Sequence, residues 1–177
     1  MQPSSKPCIL EISKSDNNAP IIFVVEHESS AGTEHLNDFF KSDTFSDVVV
    51  ECRGQKFPAH RNVLAGFSPV FKAMLTHEGF NEAEKRQITI DDTDVGVLEQ
   101  ILNFMYTGGR IQPQVLQAHA EELYRAAAKY FIEGLVQLCG DYLLQNVKVE
   151  NALVMYDLAQ CRPKSFLAVK SLHIIFE

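Results

Sequence analysis

The sequence predicts an α+β fold, with a small sheet formed early in the chain and a cluster of helices after it. Three observations carry that expectation. Residues 47–52 (DVVVEC) form a valine-rich run of strand length, and residues 55–58 answer it across Arg53-Gly54 as a hairpin partner would. A third short strand signal, residues 87–90 (QITI), follows only after a helical pattern. From Asp94 onward the apolar residues recur at helical spacing, so sheet and helices are segregated along the chain.

The elements follow in order. Residues 1–34 read as an extension of limited order, partly disordered or forming edge strands. Two short strand-like runs, 8–12 and 21–25, flank the turn-rich SKSDNNAP, and Pro20 suits a strand's first position. From Glu34, Leu36, Phe39 and Phe40 share one face of a short helix. After the hairpin, Ser68 is placed to cap a helix with Pro69 at its first position, followed by Val70, Phe71, Met74 and Leu75. Asp94 can cap the next, whose Val97, Ile101, Phe104 and Met105 form one face and which stops at Gly108-Gly109. Leu123, Ala126, Ala127 and Tyr130 then align, and Gly134 is expected to separate them from Leu135, Leu138, Cys139, Tyr142 and Leu143. Ala152, Met155, Tyr156 and Ala159 make a further stripe. Such stripes are read as core rather than as a cofactor box. Pro163 then starts a last segment with Phe166, Val169, Leu172 and Phe176.

Composition narrows the function. With 177 residues, 46% hydrophobic and 22% charged, the chain can bury a real core as one domain with short additions. A net charge of −7 argues against a phosphate-backbone partner, which needs clustered Lys and Arg, so no nucleic acid is expected. No stretch reaches the roughly 20 apolar residues that cross a bilayer, and the N-terminus lacks a secretory apolar core. Cys8, Cys52, Cys139 and Cys161 are scattered without a CxxC pair and are expected to be buried reduced thiols of an intracellular protein rather than a zinc site or a disulfide framework.

No catalytic or cofactor site emerges. Cys52 and His60 are neighbours in sequence, but a Cys-His nucleophile needs an orienting group and an oxyanion site, and neither is identifiable. His60, between a strand and a helix, is read as a hydrogen-bonded structural histidine. His27, His35, His77, His119 and His173 show no metal-ligand spacing, and Gly108-Gly109 follows a helix rather than opening one. No cofactor and no metal are expected.

Read in order, Phe45-Ser46-Asp47, Phe57-Pro58-Ala59-His60-Arg61, Val63-Leu64-Ala65, Ser68-Pro69-Val70-Phe71 and Tyr106-Thr107-Gly108 resemble the BTB/POZ domain. That domain is a dimerising module that presents a surface to other proteins. The similarity is closest to the speckle-type POZ group, which shares the Ala73-Met74 pair. Residues 126–139 and 146–159 extend it, so it covers roughly residues 36–176. The resemblance implies a BTB/POZ domain over 35–146 and a 3-box, the start of a BACK region, over 147–177. Residues 1–34 are too few for the substrate-binding MATH domain of the speckle-type relatives. A fragment, or a minimal protein with its target-recognition part missing or reduced to the N-terminal strands, is therefore expected.

The resemblance also assigns residues. Leu36, Phe39, Phe40 and Val63 would form a two-fold homodimer interface; the alternative is that the helix residues close the monomer's own core. Asp47 and Arg61 would pair as a charged pocket beside that interface, or both stand exposed. Phe80-Asn81-Glu82 matches the hydrophobic-x-Glu motif by which BTB adaptors grip a cullin scaffold, although Gly79 adds one residue to the spacing and Phe80 could instead fold inward. The function implied is a non-enzymatic substrate adaptor of a cullin-RING ubiquitin ligase, in the nucleus, the cytoplasm or both, with an unidentified protein substrate. The alternative is a dimeric scaffold that recruits transcriptional corepressors without a cullin.

Overall fold

The computed structural model describes residues 36–76, 86–162 and 165–176. The expected strands at 8–12 and 21–25 lie outside them. Strand β1 (Val48–Cys52) alternates buried and half-buried residues, so Val48, Val50 and Cys52 enter the core. Strand β2 (Gln55–Ala59) pairs with it antiparallel, Val50 opposite Phe57. The turn between them holds Arg53 and Gly54 at φ of 49° and 86°, and two successive left-handed residues match the right-handed twist of a hairpin. Strand β3 (Gln87–Thr89) lies parallel on the other edge of β1, giving the order β2-β1-β3.

Helices α1 (Arg61–Phe67) and α2 (Pro69–Thr76) follow the hairpin. Ser68 divides them in an extended conformation, and it is fully buried. Its hydroxyl oxygen accepts the Phe71 amide at 3.0 Å, which makes the N-cap, and its O–H donates to the Tyr130 carbonyl at 2.6 Å. Because the Phe71 and Tyr130 rings also stack, with centroids 4.9 Å apart, one serine fixes where α2 meets the later helices. Helix α3 (Val95–Tyr106) starts where Asp94 accepts the Gly96 amide at 2.8 Å. It ends where Gly108 and Gly109 take left-handed φ. Seven of its twelve residues are buried, so it is the central post of the core.

Helix α4 (Pro113–Lys129), bent at His119, runs to Tyr130, and α5 (Glu133–Gln145) leaves from Ile132. The break was expected at Gly134, but that residue lies inside α5. Phe131 makes the break instead, at φ 53°, while the Ile132 amide donates to the Ala127 carbonyl at 2.9 Å. A left-handed residue stops a helix whatever its type, and here hydrogen bonds on both sides and the Arg162 guanidinium, 5.8 Å from the Phe131 ring, hold it.

Helices α6 (Ala152–Ala159) and α7 (Phe166–Phe176) complete the described chain. The Phe166, Val169, Leu172, Phe176 stripe faces outward, with Phe166 82% and Phe176 81% exposed, while Leu167, Ala168 and Ser171 face the core. Helix α7 is apolar on more than one side, so periodicity alone could not choose its buried face.

Candidate interaction surface

The segment from Leu36 to β1 lies across the ends of α1 and α3. The expected short helix is here a single turn of 3-10 helix, Asn37–Phe39, in which Phe40 N–H donates to the Asn37 carbonyl at 3.1 Å. Leu36, Phe39 and Phe40 are half-buried and pack on the chain's own core. The Phe40 ring lies 5.6 Å from that of Tyr106, and Lys41, ion-paired with Glu99 of α3, sits 5.6 Å above the Phe40 ring. Phe39 meets the His60 ring edge-on at 5.7 Å and reaches Phe45 at 6.5 Å. Phe45 is 83% exposed at φ 58°, an exposed aromatic on a strained backbone. These residues thus serve the monomer core and keep an outward face as well.

His60 ties that segment to the body of the domain. Its Nε2 lies 2.9 Å from the Thr44 carbonyl and its Nδ1 2.7 Å from the Tyr106 hydroxyl, which also accepts the His60 amide at 2.9 Å. Burial pushes the Tyr106 phenol up to about 12, partly offset by the His60 amide, so it keeps its proton throughout the neutral range. The histidine was read as structural, but its partners are 16 and 46 residues away and no local spacing announces them.

Asp47 and Arg61 do meet, though through the main chain. The Asp47 carboxylate accepts the Arg61 amide at 2.8 Å and so caps α1 from the start of β1, doing what His60, the N-cap residue, does not. The Arg61 guanidinium turns away to the Leu75 carbonyl at the end of α2. The expected carboxylate–guanidinium pair is absent among the described ion pairs, because each group has a nearer partner at a helix end. Val63 is already buried in the single chain, which leaves little of it for a partner; Asn62 and Gly66 are the exposed residues of α1. Phe80, Asn81 and Glu82, with Gly79, lie outside the described residues.

A second surface, missed in the sequence, belongs to residues 149–176. Val149, Leu153 and Val154 are exposed, as is the outward stripe of α7. Between α5 and the start of α7 runs a groove of about 660 Å³, lined by Tyr124, Val136, Leu144, Phe166 and Leu167. Its floor is shaped by Gly140, where a Cβ would come within 3.3 Å of the Tyr124 ring, and at the same groove Arg162 binds Glu133. That hydrogen bond holds the Glu133 carboxyl below its ordinary value, whereas burial alone raises that of Asp141. The signal for this surface was present as surplus: α7 carries more apolar residues than one buried face can use.

The Cys52 and His60 side chains are not brought together. The Cys52 thiol is buried against the Thr93 carbonyl at 3.3 Å and its pKa is raised chiefly by desolvation, which disfavours a thiolate. Cys139, also buried, is pushed up to about 12 by desolvation, whereas Cys161, expected to be buried, is exposed.

A sequence model described as the BTB/POZ domain matches residues 36–147. Among curated proteins, TD and POZ domain-containing protein 5 of Mus musculus is 36% identical over 145 residues, which is 81% of this chain and 42% of that protein. The chain therefore spans less than half the length of this relative. Among solved structures, the BTB domain of zebrafish PATZ1 superposes with a TM-score of 0.54 at 24% identity, over 71% of this chain and 98% of that one. At that identity the likeness establishes the fold.

Proposed function

Because the chain belongs to the BTB/POZ family, whose domains self-associate and bind other proteins, we propose that it acts as a dimeric substrate adaptor for a cullin-RING E3 ubiquitin ligase. The observation that carries this reading is the second surface: residues 149–176 add an unpartnered apolar face and a groove to the domain. In this reading they are the 3-box that opens a BACK region and widens the scaffold contact. The sequence between α2 and β3 includes Phe80-Asn81-Glu82, an aromatic suited to fill a pocket and a carboxylate suited to orient at its rim. Leu36, Phe39 and Phe40 then contribute to the two-fold interface, and a dimer with two scaffold and two substrate sites turns weak contacts into avidity. The protein would work in the nucleus, the cytoplasm or both, on a protein substrate. The test is a titration against a cullin N-terminal domain. Micromolar or tighter binding that the Phe80→Ala/Glu82→Ala double variant loses supports the adaptor, and no binding by the wild type removes it.

One observation favours a second reading. Phe45, exposed beside the half-buried Phe39 and His60, offers an aromatic patch on the segment where the family resemblance sets the dimer interface. A dimeric scaffold could use it to hold a corepressor peptide. Failure of the cullin titration, together with peptide binding lost in Phe45→Ser, would select this alternative.

A further inference from the structure

We propose that His60 is a proton-sensitive clasp that holds residues 36–46 on the body of the domain and lets them loosen on acidification. The hydrogen bonds determine the ring's form. Thr44 offers only a carbonyl oxygen, so Nε2 must carry a hydrogen and donate to it. In the neutral ring Nδ1 is then an acceptor, and the one donor facing it is the Tyr106 O–H, whose oxygen in turn accepts the His60 amide. Every polar atom of the cluster is satisfied, and only in that tautomer.

A second proton on the ring breaks the arrangement. Nδ1–H would then point at the Tyr106 oxygen, and the phenol hydrogen would be turned out of its only described acceptor. Tyr106 is 1% exposed, so water cannot replace the lost partner. The charged groups around the cluster are few. Asp47, at the start of β1, would favour a protonated ring, but its carboxylate is occupied by the Arg61 amide. Arg61 points to Leu75, and Lys41 on the segment is bound to Glu99 of α3.

The segment is also poised to move. It holds Lys41 and Phe45 at φ of 61° and 58°, conformations that non-glycine residues keep only while their surroundings enforce them. Its remaining internal ties are short-range, such as the Ser46 amide to the Asp43 carbonyl at 3.1 Å and the Thr44 amide to Ser42 Oγ at 3.1 Å. Loosening it would displace Phe39, Phe40 and Phe45. If the proposed dimer reading holds, self-association would therefore weaken with acid.

The experiment is hydrogen exchange on the full chain at about pH 7.5 and about pH 5.5, the window in which histidines ordinarily change charge, corrected for intrinsic rates. The wild type is expected to lose several-fold of its protection across residues 36–46, with about tenfold the ceiling that one histidine can supply over these two pH units, while β1 and α3 keep theirs. His60→Gln, which cannot titrate, is expected to show the same protection at both values. Unchanged protection in the wild type, or an equal loss in the variant, would overturn the clasp. The wild type's own ring gives a check that needs no variant. At the higher pH its nitrogen shifts should report the Nε2–H tautomer, and an Nδ1–H ring would overturn the proposal. Sedimentation at both values separates the clasp from the dimer: a monomer throughout, with the loss of protection intact, removes the dimer and supports the clasp.

Discussion

The two ends of the described chain both carry apolar residues in excess of the core, and they hold them in different ways. At the amino end Phe39 and Phe40 are half-covered, each against a ring of its own chain, and His60 and Lys41 anchor the backbone that carries them. At the carboxyl end the Phe166 and Phe176 rings are more than 80% exposed, because α7 is held by its opposite side through Leu167, Ala168 and Ser171. The lesson is that an apolar stripe states a capacity for contact. Which element receives it depends on what else competes for the core. The amino segment finds its partners within the chain, whereas α7 has its core contacts already made and its stripe left over.

The largest effect that would break this contrast comes from adjacent residues of α7. Leu167→Ala, which opens a cavity in the core, is expected to cost about 2–5 kcal/mol, while Phe166→Ala should stay within about 0.5 kcal/mol; urea unfolding of both variants measures the difference. Equal losses would mean that the stripe is buried after all. Ser68→Ala comes next. It leaves the buried Tyr130 carbonyl and Phe71 amide without their shared partner, and roughly 1–3 kcal/mol should be lost in the same unfolding measurement.

At the amino end the effects should appear in association more than in stability. Leu36→Asp combined with Phe39→Asp is expected to turn a dimer into a monomer, or into an insoluble chain, by light scattering at tens of micromolar. Phe45→Ser, at an exposed position, should leave the unfolding midpoint nearly unchanged and weaken self-association only. A wild-type monomer at those concentrations would show that the half-buried aromatics serve the monomer core alone.

Much of this was legible in the sequence. The β1–β2 hairpin was visible because the valine-rich run Val48-Val49-Val50 and the short Gln55–Pro58 segment flank the turn pair Arg53-Gly54, and the starts of α2 and α3 because Ser68-Pro69 and Asp94 are local signals that act within a few residues. What escaped depends on distance or on choice. The His60–Tyr106 bond spans 46 residues. The Asp47–Arg61 contact was anticipated as a pair of charges, yet the amide of Arg61 is the donor, and sequence does not distinguish a side chain from the backbone beneath it. Phe131 stops a helix in a conformation that glycine would adopt more readily, and the nearby glycine, Gly134, three residues away, packs at ordinary distance from Phe104 inside α5. In α7 two apolar faces were on offer and only packing against its neighbours could select one.

The smallest expected effect concerns the groove. Arg162 holds the Glu133 carboxyl below its usual value of 4.5, so the pair's contribution is complete above that pH and fades as pH falls below it. Both groups are substantially solvated, and screening keeps the contribution to a few tenths of a kcal/mol, roughly. Arg162→Gln should therefore lower stability slightly at neutral pH and by less at about pH 3, as read by thermal unfolding at the two values.

The central claim, a dimer that engages a cullin scaffold, is tested most directly by sedimentation velocity of the protein mixed with a cullin N-terminal domain. One complex with the mass of two chains and two scaffold domains is expected, reduced to the free dimer by Phe80→Ala/Glu82→Ala. A one-to-one complex, or two species that sediment apart at tens of micromolar, would contradict it.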